Sequence, residues 1–141
     1  MSVAPTGVAL RDDRIEEALA MQYIRLHSDK AGDSHFAEAE LALDEADYRP
    51  PAPLLFVSHA FQAGGLQFVR LPGGWTGEGI HPPKRQFLIC LDGHLEVTAS
   101  DGEKRSFGPG DRVLMEDVDG KGHRSHVRGP HDCVAAIVPI D

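Results

Sequence analysis

Between His81 and His123, turns containing glycine or proline cut the chain into pieces of strand length. Phe87-Leu88-Ile89-Cys90-Leu91 is an apolar run closed by Asp92-Gly93. His94 to Ala99 alternates with one face more polar than the other, and Asp101-Gly102 supplies residues suited to a tight hairpin turn. Glu103 to Phe107 is a short polar strand, after which Gly108-Pro109-Gly110-Asp111 turns the chain into Arg112 to Glu116. The loop Val118-Asp119-Gly120-Lys121-Gly122 then delivers His123. Successive antiparallel hairpins return a chain to the same end of a sheet, so two histidines far apart in sequence can be brought together there.

Side-chain alternation gives this pattern more content. If Gln86 points inward, Leu88 and Cys90 do so too, while Phe87, Ile89 and Leu91 face outward. A strand that is apolar on both sides must be covered on both. The expectation is a homodimer through this sheet, with packing of the N-terminal segment as the competing explanation. Cys133 to Val138 is a second continuous apolar run and reads as another central strand.

Elsewhere, Tyr23 to Leu26, His35 to Leu43, Leu54 to Ser58 and Leu66 to Leu71 read as strands, and Asp44 to Pro53 as a proline-rich crossover. Arg11 to Met21 carries Ile15, Leu19 and Met21 among charges, with Asp12 or Asp13 as a cap, and predicts a short amphipathic helix. The division expected is an N-terminal arm over 1–21 and one β-domain over 22–141. Many short strands with glycine and proline punctuation point to a β-barrel or sandwich.

With 141 residues the chain can bury a core without staples. Cys90 and Cys133 both sit in apolar runs, where a free cysteine acts as a small hydrophobe, and they read as reduced. A metal or redox role for Cys90 lacks any basic neighbour to lower its pKa. The net charge of −8, from 22 acidic and 14 basic residues, argues against nucleic acid as a partner. No run approaches the roughly 18 apolar residues that span a membrane, and the N-terminus lacks the basic-then-apolar pattern of a secretory signal, so a cytoplasmic protein is expected.

Among the other histidines, His126 lies on the opposite strand face from His123, and His94 reads as a solvated rim residue. Surface positions are the default for His27, His35, His59 and His131. The basic knot of Lys121, His123, Arg124, His126 and Arg128 is either a seat for a small carboxylate or phosphate or a solvated face. Glu116, Asp117 and Asp119 read as groups hydrogen-bonded within their own turn. Trp75 either walls a pocket mouth or caps the core. No phosphate loop or nucleophile elbow is present.

The frame Gly79-x-His81, Gln86, Gly93, followed by Gly110-Asp111 and His123, resembles the two motifs of the cupin superfamily. The stretches Pro82 to Gln86, Ser100 to Gly102, Phe107 to Asp111 and Glu116 to His123 look like a subgroup of small bacterial cupins of no assigned activity. The likeness runs in outline from Gln22 to Val127 and is specific from Trp75 to His126. It implies an all-β, single-domain, cupin-type jelly-roll β-barrel with a short N-terminal helix or arm. It also implies a divalent metal, Zn, Fe, Mn or Ni, held inside by His81 and His123. Two positions depart from the family: Gly79 replaces its first histidine and Gln86 its glutamate. Gln86 can still offer a neutral amide oxygen, a poorer ligand than carboxylate.

Three functions follow as expectations. His81 and His123, with Gln86, hold a metal that acts as Lewis acid toward a small molecule. Alternatively, both imidazoles and Gln86 bind a small organic acid without metal. In the third reading the barrel is structural and its pocket vestigial. Fold likeness does not choose among them.

Overall fold

A computed structural model describes residues 20–46 and 53–141. The strands are β1 (Ala20–Ser28), β2 (Ser34–Ala42), β3 (Asp44–Ala46), β4 (Leu55–Val57), β5 (Gln67–Leu71), β6 (Thr76–Ile80), β7 (Gln86–Asp92), β8 (Leu95–Ala99), β9 (Lys104–Phe107), β10 (Arg112–Met115), β11 (His123–His126) and β12 (Cys133–Pro139). No helix occurs among the described residues, and so none there is long and apolar enough to cross a membrane. The helix expected over Arg11 to Met21 lies outside the described residues except for Ala20 and Met21, which open β1.

Contacts divide the chain into two units. The larger comprises Tyr23–Ala39 and Phe61–Asp141. Of the smaller, residues 20–22, 40–46 and 53–60 are described. Its strands β3 and β4 pair as a two-stranded antiparallel sheet, so Asp44–Ala46, expected within a crossover, is strand.

The larger unit is built on two sheets. One has the order β2-β1-β10-β7-β12-β5, the other β6-β11-β8-β9. β1 runs parallel to β10, with Ile24 opposite Val113 and Leu26 opposite Met115. The expected closed barrel is corrected here: the two hydrogen-bonded ladders do not join among the described residues. Side chains join them instead. Leu26, Leu88, Cys90, Val113, Met115, Cys133 and Ala135 from the large sheet pack with Leu95, Val97, Ala99 and Phe107 from the small one. Burial of this apolar surface supplies the main favourable term for the fold.

Strand β6 was hidden in the sequence by Gly77 and Gly79, which depress strand signal. At Gly77 the reason is packing. A Cβ there would lie 2.5 Å from Ile80 Cδ1 and 2.8 Å from the Trp75 ring. Trp75 in turn packs against the main core, which settles its place as a core cap.

Alternation in β7 is as expected. Leu88 and Cys90 join the inner core, whereas Phe87 and Ile89 face a second cluster with Leu114, Ile140, Tyr23, Phe61 and Val138. Tyr23 and Phe61 meet the Phe87 ring edge-on at 5.8 and 5.1 Å between centroids. Part of the outer face is therefore covered from within the chain. Phe68, Leu66 and Leu91 stay exposed, at 68%, 58% and 46%.

One surface clamp ties β2 to neighbouring turns. Ser34 donates its hydroxyl to the Gly122 carbonyl at 2.8 Å, and its Oγ accepts from the Ser100 amide. Beside it, His35 is held between two carboxylates, Asp29 at 2.6 Å and Asp101 at 2.8 Å. The His27 ring lies 5.9 Å away, and Asp33 engages Lys121. The hydrogen bonds to Asp29 and then Asp101 raise the His35 pKa above its ordinary 6.5, and the bond to His35 lowers that of Asp29.

Folding thus binds the His35 proton more tightly than the unfolded chain does. The stability this contributes is full below about pH 6.5 and is lost as pH rises through the raised folded value. Asp29 acts at the other end: its contribution is present above about pH 4 and is lost as pH falls through its lowered value. Thermal unfolding of the wild type should show a fall in Tm on the alkaline side of about pH 6.5 that His35→Gln lacks. Parallel pH profiles for the two proteins would rule the clamp out as the source.

Candidate functional site

The site is built where β10 ends and β11 begins. The register of β10 with β7 puts Met115 opposite Gln86. Met115 faces the inner core, so Gln86 lies on that face, half-buried at its end. The Glu116 amide still donates to the Leu26 carbonyl, which extends the strand geometry by one residue. Glu116 itself turns outward to Arg25 and Arg85. Asp117, the next residue, returns to the inner side and is fully buried.

From Asp117 the chain loops back to His123 under close constraint. Gly120 and Gly122 both have positive φ, 79° and 71°. A Cβ on Gly122 would sit 2.3 Å from the Ile80 carbonyl oxygen, and one on Gly120 would sit 2.5 Å from that of Gly32. Glycine is required at both for conformation and for space. The loop is then fastened from several sides: the Lys121 amide donates to Gly32, Ser28 Oγ to the Asp119 carbonyl, and Ser34 Oγ to the Gly122 carbonyl.

His123, opposite Ala99 on β8 and Ile80 on β6, points inward. Its Nδ1 donates to Asp117 Oδ2 at 2.6 Å, with the side chains only 2% and 0% exposed. A carboxylate accepts, so the proton of this bond sits on Nδ1. Asp117 Oδ1 is buried and finds no hydrogen-bond donor among the described residues. A buried carboxylate satisfied on one oxygen alone is unfavourable unless something pairs the other.

Of the predicted site residues, His123 and Gln86 lie on the inner face and His81 does not. His81 is exposed, one residue beyond Ile80, and its Nε2 donates to the Gly120 carbonyl at 2.5 Å. It steadies the loop between Asp117 and His123. As placed, the three do not suit a divalent ion. His81 Nε2 carries the proton it gives away, Gln86 brings a neutral oxygen, and His123 has given its Nδ1 to Asp117. Among the described residues no three His, Cys, Asp or Glu side chains gather into a metal-holding group.

Asp117 was missed as a site residue, because its hydrogen bond was expected within the turn. The available signal was an acidic residue leading through a glycine-rich loop to an inward histidine. Burial pushes the Cys90 pKa up to about 12 and raises that of Cys133 as well, which keeps both protonated.

Fold and site together define, among the described residues, an all-β protein whose larger unit holds a histidine–carboxylate pair between two sheets. It is similar in fold to cupin proteins of known structure. One is a Cupin 2 conserved barrel domain protein from Salinispora arenicola, 21% identical over 72% of this chain and 76% of that one, with a TM-score of 0.45. Others are a cupin-2 domain containing protein from Shewanella frigidimarina, 17% identical over 54% and 69% with a TM-score of 0.39, and the Schizosaccharomyces pombe Cnp3 cupin domain, 12% identical over 87% and 85% with a TM-score of 0.43. No protein-family profile and no curated protein matches the chain.

Replacing Asp117 by alanine strands the buried imidazole donor, and Asp117→Ala should lose about 1–3 kcal/mol in denaturant unfolding. Wild-type stability in that variant would mean that the pair does not hold His123 in place.

Proposed function

We propose that the protein binds a small organic acid at its inner face, without metal, using His123 as the anchor. The observation that carries this reading is the 2.6 Å Asp117–His123 hydrogen bond at nearly complete burial, with Asp117 Oδ1 buried and without a hydrogen-bond donor among the described residues. An acid bearing a hydroxyl suits this pair: the hydroxyl donates to Asp117 Oδ1, and the proton of the acid's carboxyl group is shared with the His123 ring. Gln86, on the same face, adds an amide that can donate or accept. His81 contributes indirectly, by holding the loop.

A ligand that binds the folded state alone raises Tm, and at a hundredfold excess over Kd it adds about 2.7 kcal/mol. A thermal-shift screen over small hydroxy and keto acids, run with chelator present, should yield a rise that His123→Asn abolishes and Lys121→Gln retains. A flat screen defeats the proposal, as does a rise that survives His123→Asn.

The homodimer belongs to the same reading, supported by the exposed Phe68 and Leu66 at the edge strand β5. Sedimentation should find a dimer that Phe68→Lys converts to monomer. A monomeric wild type would remove this part of the proposal.

A further inference from the structure

The outer face of the four-stranded sheet carries a second arrangement, which the inner site does not use. Register aligns Arg124 of β11 with Thr98 of β8, and Thr98 with Lys104 of β9. All three belong to the wall of an open groove of about 240 Å³. A hydroxyl thus stands between two cations on adjacent strands, whose backbones lie roughly 10 Å apart across three strands. The next row aligns His126 with Glu96, and Arg128 follows just beyond β11.

The charges are not balanced within the groove. Glu96, whose side chain is 14% exposed, is taken by Arg128 in two contacts of 2.6 and 3.2 Å, and this bond lowers its pKa. Lys104 stands further off, at 3.5 Å from Glu96, and is 47% exposed. Arg124 meets Glu78 at 4.0 Å, the one ion pair it makes among the described residues, and both side chains are more than half exposed. Three permanent cations therefore face two carboxylates, on a chain whose net charge is −8. A concave patch of opposite sign to the rest of the molecule concentrates ions of the complementary charge.

We propose that this groove binds the phosphate group of a small molecule, seated over Thr98 between Arg124 and Lys104. A tetrahedral oxyanion offers acceptors toward both cations and the hydroxyl at once, whereas a planar carboxylate offers them in one plane. Arginine suits phosphate through its paired donors and lysine through its point charge. Arg128 is held most closely by Glu96, and Arg124 and Lys104, whose ion pairs with Glu78 and Glu96 are longer and more exposed, are the recognising cations. The site is separate from His123, whose side chain lies on the other face of the same strand.

Inorganic phosphate, titrated at constant ionic strength and followed by 1H–15N chemical shifts, tests this directly. Wild type should show saturable shifts centred on Thr98 and Arg124. Arg124→Gln and Lys104→Gln should each weaken binding about tenfold, in line with the loss of one charge-assisted contact. Lys121→Gln, a cation paired with Asp33 outside the groove, should leave binding unchanged. Equal affinity in wild type and both groove variants overturns the proposal, as does the absence of saturation. A parallel arm uses phosphatidylcholine vesicles containing phosphatidylserine. Sedimentation with vesicles but no response to free phosphate assigns the face to a membrane surface and also overturns it.

Discussion

Strand β7 sets the terms for the larger unit, because it is apolar on both sides and neither side can be left to water. Its inner residues Leu88 and Cys90 meet β8 and β9 of the second sheet through a common core. Its outer residues Phe87 and Ile89 draw in Tyr23, Phe61 and Ile140. With β10 on one flank and β12 on the other, β7 fixes the register of both. The position of Gln86 opposite Met115 and the return of Asp117 to the inner side follow from that register.

The inner site is then a matter of loop geometry. Without glycine at 120 and 122 the chain cannot pass between Gly32 and the end of β6 closely enough to bring Asp117 onto His123. The hydrogen bonds from Ser28, Ser34 and His81 to successive loop carbonyls give the buried pair its fixed geometry. Preorganisation of this kind lowers the entropic cost of engaging a ligand.

Much of this was legible in the sequence for a simple reason: alternation has a period of two, and one anchored residue assigns a whole strand. It placed Leu88 and Cys90 inside, Phe87 and Ile89 outside, and His123 and His126 on opposite faces. It also explains why the apparent basic knot dissolves. Lys121 goes to Asp33, His123 goes inward, and Arg124, His126 and Arg128 line the outer groove. Loops obey no such period. The exposure of His81 and the reach of Asp117 to His123 depend on positive-φ glycines and on contacts distant in sequence, neither of which spacing encodes. β6 was lost for a related reason, since a glycine kept for packing looks the same in sequence as one kept for a turn.

The parallel pairing of β1 with β10 carries a consequence for biosynthesis. Ile24 and Leu26 leave the ribosome well before their partners Val113 and Met115 are made. Leu26, wholly buried in the folded structure, must stay solvated or shielded until Met115 has been translated. Contacts so distant in sequence slow folding and prolong the exposure of sticky surface. Over that interval β1 is an open strand on the nascent chain, and chaperone capture would act there.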